Sequence, residues 1–244
     1  MFSLFKSKPK LVELIPEEYV DIHCHILPGI DDGAKTIDDS QFLMNHMLNF
    51  GFTKVIATPH TMKNVWDNTK ESIEATKNRV EKELPIESKK LQLHCASEYL
   101  IDDNFVQLFE KNEILTLKHN YILVEMSYLN PPIQLYDILF ALQLKGYQPV
   151  LAHPERYTFF HTNFKEYEKL KKAGCLFQMN LLSTVGYYGK EVSTIAGKLL
   201  EEEKIDFVGS DIHHKNHIFS FKDKVISKDI NQLEKAIANN QFFK

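Results

Sequence analysis

Two short stretches near the ends of the chain place metal-binding residue types two positions apart. His23 and His25 stand in the sequence DIHCH, and Asp211 and His213 stand in the sequence SDIH. In an extended strand, side chains two positions apart point to the same face, so each pair can reach one ion together. Imidazole nitrogens with carboxylate oxygens suit manganese, iron or zinc. The two pairs therefore predict a metal site.

The elements that must position these residues are strands that alternate with helices. Strands interleaved with helices form parallel βαβ units, and no linker-like stretch or internal repeat divides them. The pattern predicts an α/β fold with a single barrel-like domain. The predicted strands are Tyr19 to His25, Lys54 to His60, Leu91 to Glu98, Tyr121 to Glu125, Gln148 to His153, Cys175 to Asn180 and Ile205 to Asp211.

The segments between the strands have helical period and recognisable ends. Gly51, Gly146 and Gly174 stand where three of them stop, and Pro85 stands where the fourth stops. Glycine is the common residue just past a helix, and proline cannot continue one. The predicted helices are Thr36 to Phe50, Thr69 to Leu84, Gln134 to Lys145 and Asn163 to Ala173.

Six of the seven predicted strands end in a residue of metal-binding type, and only the Cys175 strand does not. Enzymes with (β/α) barrels assemble their sites at that end of the strands. One strand ending in histidine would mean little, but the same feature on six strands is hard to attribute to packing. The residues are His23, His25, His60, Glu98, Glu125, His153, Asp211 and His213.

The overall composition excludes some classes of partner and location. The 244 residues are 43% apolar, with a formal net charge of −4. Because no dense run of Lys and Arg is present, a nucleic-acid backbone is not expected as the main partner. No apolar run is long enough for a signal peptide or a membrane span. We expect a cytoplasmic protein with a substantial core.

The cysteines do not fit cysteine-based phosphatase chemistry. The phosphate-binding loop of such an enzyme places an arginine six residues after its cysteine, but those positions here are Ile30, Ile101 and Leu181. Buried, reduced thiols are the simpler expectation. The cysteines are Cys24, Cys95 and Cys175.

From about Tyr19 to His213 the chain resembles the PHP (polymerase and histidinol phosphatase) superfamily of metal-dependent phosphoesterases. The stretches DIHCHILPGIDDGA, IATPH, YILVEM, GYQPVLAHPER and VGSDIH are similar, more narrowly, to bacterial capsule-type protein-tyrosine phosphatases. The resemblance implies a distorted, TIM-like barrel of about seven parallel strands and a cluster of three divalent ions, often manganese. It also implies hydrolysis of phosphotyrosine on a tyrosine kinase of capsule or exopolysaccharide export.

The resemblance assigns residues to roles by position. Arg156 matches the family's phosphate-binding arginine, although a structural ion pair is the alternative. Asp31 competes with Asp32, and only the family pattern favours Asp32. Residues 1–18 form an N-terminal extension of unknown role before a domain that spans residues 19–244. The positions that match metal ligands are His23, His25, Asp32, His60, Glu98, Glu125, His153, Asp211 and His213.

Several neighbouring residues receive lesser roles. Asp21 has the strand parity to orient His23, and His94 is predicted to be a hydrogen-bonded core residue. Tyr187 and Tyr188 mark a loop that either lines the substrate mouth or is a surface turn. The remaining histidines are predicted to be bystanders, and they are His46, His119, His161, His214 and His217.

For the mechanism we expect in-line attack on phosphorus by a metal-activated hydroxide, because a bound metal lowers the pKa of water from about 15.7 to about 7. A phosphotyrosine protein, such as a kinase tail, is the expected substrate. The alternatives are a small-molecule phosphomonoesterase such as a histidinol-phosphate phosphatase, an amidohydrolase, or a metal-binding scaffold that docks on a kinase tail. An amidohydrolase typically presents a metal-bridging lysine where this chain has glutamates.

Overall fold

The structure is a computed structural model that describes residues 8–244. In that range it has nine strands and ten α-helices. The strands are β1 (Tyr19–Cys24), β2 (Phe52–Ala57), β3 (His60–Thr61), β4 (Leu93–Cys95), β5 (Glu98–Leu100), β6 (Tyr121–Glu125), β7 (Gln148–Ala152), β8 (Leu176–Asn180) and β9 (Phe207–Gly209). The α-helices are α1 (Ile37–Asn49), α2 (Lys70–Glu83), α3 (Pro85–Lys90), α4 (Asp103–Glu110), α5 (Leu135–Leu144), α6 (Thr158–His161), α7 (Lys165–Lys172), α8 (Lys190–Glu201), α9 (Lys215–Ser220) and α10 (Ile230–Asn239). Four 3-10 helices span Leu11–Leu14, Pro154–Arg156, Leu181–Val185 and Asn240–Phe243.

The paired strands are parallel and form two sheets. One sheet has the order β1-β2-β4, and the other has the order β3-β5-β6-β7-β8-β9. The residues that follow β9 bond to the end of β1, since Asp211 N donates to His23 O at 2.8 Å and His25 N donates to Ile212 O at 2.9 Å. The predicted α/β fold with parallel strands is confirmed. Closure of the strands into a barrel stays a prediction.

Two predicted strands are each divided in the structure. The run Lys54 to His60 becomes β2 and β3, and the run Leu91 to Glu98 becomes β4 and β5. Pro59 lies at the first break and has no N–H group with which to continue the ladder. Its carbonyl accepts instead from Glu98 N at 3.1 Å and from Ser97 Oγ at 2.7 Å. The two breaks give more strands than the seven predicted.

Helix ends follow both the glycines and the proline. Gly51, Gly146 and Gly174 have φ values of 98°, 86° and 79°, the left-handed region that glycine adopts readily. Pro85 does not simply end α2, because a second helix, α3, begins at that residue. Proline is well tolerated in the first turn of a helix, where its missing N–H would have no partner. The predicted stop before Pro85 is confirmed, since α2 ends at Glu83, but the second helix was not predicted.

The N-terminal extension contributes to the core over the part that is described. Leu11 is fully buried in the apolar cluster that also holds β1 and α1 residues. Its N–H donates to Asp223 O at 3.0 Å, and the N–H of Val12 donates to Phe221 O at 2.8 Å. Residues 1–7 of the predicted extension lie outside the described residues. Among residues 8–244, the helices are all too short or too polar to cross a membrane.

Candidate metal centre

The residues predicted as metal ligands come together, although two of them begin a strand instead of ending one. His23 and His25 come from β1 and the residue after it, His60 and Glu98 begin β3 and β5, and Glu125 ends β6. The others lie just after β7 and β9 or in the loop after β1. Their ligand atoms form four overlapping groups, each within 4.8 Å: His25, Asp32, His60 and His213; His23, Glu98 and His153; His23, His25 and Asp211; and His60, Glu98 and Glu125. All nine positions are brought together, and ligation itself stays a prediction.

Glu98 occupies the middle of this cluster and is fully buried. Its Oε2 lies 3.1 Å from His23 Nε2 and 3.2 Å from His60 Nδ1, and its Oε1 lies 2.9 Å from His153 Nε2. Burial alone would raise the pKa of Glu98, but the charges of His23 and His60 hold that pKa well below its usual range. The Glu98 carboxylate is therefore stabilised by positive charge on its neighbours. A metal ion bound beside it could supply the same positive charge.

The donor atoms fit divalent cations. His60 Nδ1 and Glu125 Oε1 lie 2.8 Å apart and are buried, yet neither atom makes a hydrogen bond. Burying two polar atoms that face each other without a hydrogen bond destabilises the fold, because neither atom is solvated. A cation that binds both atoms removes this penalty. Burial and the charge of Glu98 also raise the pKa of Glu125, so these two carboxyl groups need positive charge nearby. The nitrogen and oxygen donor set suits manganese, iron or zinc.

The structure separates the roles of Asp31 and Asp32. Asp31 is buried, and its Oδ2 lies 2.7 Å from His25 Nδ1, which leaves His25 Nε2 facing the cluster. Asp32 places its Oδ1 3.5 Å from His60 Nε2 and 3.4 Å from His213 Nε2. A carboxylate that bonds to the ring nitrogen facing away from a metal orients the histidine. A carboxylate next to the nitrogen that faces the metal can bind the same ion. Asp32 therefore lies beside the ring nitrogens of the cluster, and its choice as a ligand stays a prediction.

The loop that carries these two carboxylates turns tightly against the end of β1. A Cβ on Gly33 would lie 2.1 Å from His25 O and 2.5 Å from His25 Cβ. We expect Gly33→Ala to lower the free energy of unfolding by about 1–3 kcal/mol, because backbone atoms must move. Urea unfolding measures this change. The control is Gly197→Ala within α8, where a Cβ meets open space and helix propensity should add up to about 1 kcal/mol. Equal midpoints for the two variants would contradict the steric argument.

Arg156 lies at the edge of the cluster, in the 3-10 helix after His153. Its Nη1 donates to Asp211 Oδ2 at 3.0 Å. The guanidinium carbon lies 4.8 Å from the ring centre of Tyr128 and 4.3 Å from that of Tyr188. The side chain remains 24% exposed. Arg156 therefore makes the ion pair that was its alternative role and still faces solvent.

A cavity of about 230 Å³ opens onto the cluster. Two larger depressions, of about 410 and 430 Å³, lie along α8 and beside α2 and α3. We place the candidate active site at the smaller cavity, because the ligand-type side chains and the Arg156 guanidinium both line it. The larger volumes of the other two depressions do not by themselves indicate a reactive site. Its lining residues are Asp32, His60, Tyr128, His153, Arg156, Tyr188, Asp211, His213, His214 and His217.

Some lining residues were assigned differently from sequence. His217 was predicted to be a bystander, but it is 6% exposed and its Nδ1 lies 2.9 Å from Asp211 O. Burial lowers the pKa of His217 to about 3, so its ring is neutral. Of the two loop tyrosines predicted either to line the substrate mouth or to form a surface turn, Tyr188 lines the cavity. Tyr187 is not among the lining residues. Tyr128 was not predicted, and no periodic pattern indicated it.

Two other positional predictions were wrong. His94 is exposed rather than in the core, because the break between β4 and β5 interrupts the alternation counted back from Glu98. Asp21 does not contact the His23 ring, since its carboxylate accepts from Ser210 Oγ at 2.5 Å and from Ser210 N at 2.9 Å. The residue that contacts His23 Nδ1 is Gln178, whose Oε1 lies 2.7 Å away.

Comparison with known proteins identifies the family. Residues 19–239 match the profile described as capsular polysaccharide synthesis, CpsB/CapC. The chain belongs to the CpsB/CapC family. It is 34% identical over 196 residues to the tyrosine-protein phosphatase YwqE of Bacillus subtilis (strain 168), which covers 80% of this chain and 77% of the relative. Identity to the tyrosine-protein phosphatase CpsB of Streptococcus pneumoniae is 28% over 201 residues, covering 80% of this chain and 83% of the relative.

Solved structures agree with this CpsB/CapC assignment. One match, with a TM-score of 0.81 and 30% identity, covers 92% of this chain and 93% of the other; it comes from crystal structures of YwqE and S. pneumoniae CpsB, described as unique metal-dependent tyrosine phosphatases. A histidinol phosphate phosphatase from Lactococcus lactis matches with a TM-score of 0.53 and 12% identity over 92% of this chain and 94% of the other. The second likeness concerns the fold alone. The resemblance inferred from the sequence motifs is confirmed.

Proposed function

We propose that this CpsB/CapC-family chain is a metal-dependent protein-tyrosine phosphatase. The observation that carries the proposal is the convergence of nine ligand-type side chains beside a cavity that Arg156 lines. Relatives in the same family are named tyrosine-protein phosphatases, which supports the same reaction here. We further propose one catalytic domain over residues 19–244 whose strands close into a distorted barrel.

The proposed ligands are the nine residues predicted from sequence, and they would hold three divalent ions, with manganese preferred over iron or zinc. When bound, such ions lower the pKa of water from about 15.7 to about 7 and offset phosphate charge. The residues of the chain supply the geometry. Asp31 holds the ring of His25, and Glu98 lies between His23, His60 and His153. The acidic ligands would otherwise leave the site strongly negative and repel a phosphate dianion.

Arg156 is proposed to bind the non-bridging oxygens of the phosphoryl group. Its planar fork matches phosphate geometry in a way that a lysine ammonium cannot. Asp211, Tyr128 and Tyr188 hold the guanidinium from three sides, so little ordering is needed when phosphate arrives. The two rings also give the cavity an aromatic wall that suits a phenyl phosphate. A tyrosine leaving group, with a pKa of about 10, needs less protonation than an alkyl alcohol.

The proposed substrate is a phosphotyrosine segment of a protein, in the cytoplasm. The family is described by capsular polysaccharide synthesis. We therefore prefer a tyrosine kinase of that process as the candidate substrate. The test is phosphate release by the manganese-loaded protein from a tyrosine-phosphorylated peptide with the sequence of a kinase tail, compared with histidinol phosphate. We expect the peptide to be hydrolysed with the higher kcat/KM, and His23→Ala to abolish release.

The control for that variant is His119→Ala, which removes an exposed histidine that is not among the proposed ligands. It should release phosphate at the rate of the unmodified protein. Turnover of histidinol phosphate alone would favour the small-molecule phosphatase. Stoichiometric metal binding with no phosphate release from either compound would favour the scaffold.

The proposed chemistry does not use a thiol, so we expect iodoacetamide to leave the activity unchanged. Burial raises the pKa of Cys175 to about 12 and that of Cys95 to about 11, and Cys24 is also buried. Thiols with such pKa values carry almost no thiolate at neutral pH. Phosphate release after incubation measures the effect, and mass spectrometry in guanidinium should then find three reactive thiols. Rapid inactivation by one equivalent of alkylation would contradict the metal-based mechanism.

A further inference from the structure

β8 is the predicted strand that ends without a metal-binding residue, yet two fully buried amides lie at its end. Gln178 and Asn180 are two positions apart and so share one face of the strand. Gln178 Oε1 lies 2.7 Å from His23 Nδ1, and Gln178 Nε2 donates to Asn180 Oδ1 at 3.2 Å. Asn180 Nδ2 donates to Asp211 Oδ2 at 2.5 Å. The amides thus connect two proposed ligands.

Only one arrangement of protons satisfies every bond in this series. Asp211 pairs with Arg156 at 3.0 Å, so its carboxylate accepts and does not donate. Asn180 must therefore present its NH₂ group to Asp211, which leaves its oxygen to accept from Gln178. Gln178 then has its NH₂ group engaged, and its oxygen must accept a proton from His23 Nδ1. The negative charge of Asp211 fixes the direction of the whole series.

We infer that Gln178 and Asn180 are positioning residues for the proposed metal centre, on whose existence this inference rests. They hold the proton of His23 on Nδ1, so that the lone pair of Nε2 faces the metals. They also occupy Oδ2 of Asp211, which leaves Oδ1 to face the cluster. That oxygen lies 3.3 Å from His23 Nε2 and 3.4 Å from His25 Nε2. A partner behind a ligand commonly sets its tautomer and orientation in this way.

The packing around Gln178 leaves its side chain little freedom. A Cβ on Gly209 of β9 would lie 2.6 Å from Gln178 Nε2 and 2.6 Å from His23 Cβ. The amide therefore lies against the backbone of β9, next to the histidine that it holds. A side chain confined in this manner loses little further entropy when a metal binds, which favours a preformed ligand geometry.

The first test uses the unmodified, zinc-loaded protein, because zinc is diamagnetic. In a histidine-labelled ¹⁵N NMR spectrum, we expect His23 to carry its proton on Nδ1, with an N–H resonance that the hydrogen bond to the Gln178 oxygen protects from exchange. A proton on Nε2 of His23 would overturn the inference. This measurement needs no substitution, so it stands even if a variant fails to fold.

The second test compares zinc affinity by competition with a chelator. Gln178→Met conserves volume but removes both hydrogen bonds, and we expect a loss of affinity of about 10- to 100-fold. The control is Gln148→Met on neighbouring β7, whose amide bonds to Gly174 O and lies outside the cluster. Gln178→Glu keeps an acceptor for His23 and should bind zinc more tightly than the Met variant. Affinity in Gln178→Met equal to that of the control would overturn the inference.

Both tests are independent of catalysis. A protein that binds zinc with the expected His23 tautomer but releases no phosphate would reject the proposed function and retain the inference. A protein that hydrolyses phosphotyrosine but carries the His23 proton on Nε2 would support the proposed function and reject the inference.

Discussion

Arg156→Lys is expected to lower kcat/KM for a phosphotyrosine peptide by about 100- to 1,000-fold, the effect of removing one transition-state donor. The bound metal should stay unchanged. Lysine keeps the positive charge beside Asp211, which lies 3.0 Å from the guanidinium, so this proposed ligand retains a cationic partner. It cannot reproduce the planar fork that binds two phosphate oxygens, nor the contact with both tyrosine rings. Steady-state kinetics with metal analysis of the same sample measures both quantities.

Arg79→Lys provides a matched control, because Arg79 is exposed on α2 and pairs with Glu83 four residues later. An exposed pair of this kind contributes little to stability. We expect this variant to show unchanged kinetics and metal content. If Arg156→Lys loses metal in proportion to activity, Arg156 acts through Asp211 alone and the phosphate-binding role is wrong.

Glu98→Gln is expected to lower activity by about 1,000-fold or more and to reduce the number of ions bound per chain. Glu98 is the carboxylate that contacts His23, His60 and His153, and it belongs to two of the four ligand groups. The amide keeps the shape but presents an NH₂ group where an anionic oxygen was. A loss of about 4 kcal/mol in charge stabilisation corresponds to about 1,000-fold in rate. Phosphate release and elemental analysis provide the two readouts.

The control is Glu155→Gln, a substitution of another fully buried carboxyl group. Its Oε1 accepts from Asn180 N at 2.9 Å and from Ser183 Oγ at 2.7 Å, and an amide oxygen can continue to do so. Burial raises the pKa of Glu155 to about 7, so the substitution removes only part of a charge at neutral pH. We expect its metal content to equal that of the unmodified protein. Equal metal loss in both variants would attribute the effect to destabilised packing instead of ligation.

Local patterns account for most of the fold. The alternation of strands and helices and the glycines at helix ends are set by residues close together in sequence, so they can be read from it. The break after β2 depends on Pro59 and on the way its carbonyl bonds to Ser97 and Glu98 of another strand. A pairing between strands is not visible in either segment alone. For the same reason, the position of His94 was predicted wrongly.

The site divides in a similar way. Residues of metal-binding type at strand ends are conspicuous, because their chemistry is unusual there and their spacing is regular. Gln178 and Tyr128 are ordinary residues whose importance comes from what lies opposite them, which is His23 in one case and Arg156 in the other. His217 looks like a surface histidine until the turn after β9 brings it against Asp211. Such roles depend on three-dimensional neighbours.

The hydrogen bonds between Ser210 and Asp21 have a consequence for synthesis of the protein. Ser210 and Asp21 are hydrogen-bonded although 189 residues separate them, and Asp211 follows directly. A nascent chain can emerge from the ribosome with His23, His60 and Glu98 already made and still lack the segment that encloses them. Because contacts of such long sequence separation form late, the centre assembles after translation of the last strand. The growing polypeptide therefore lacks the complete cluster of ligand-type residues until Asp211 and His213 have been made.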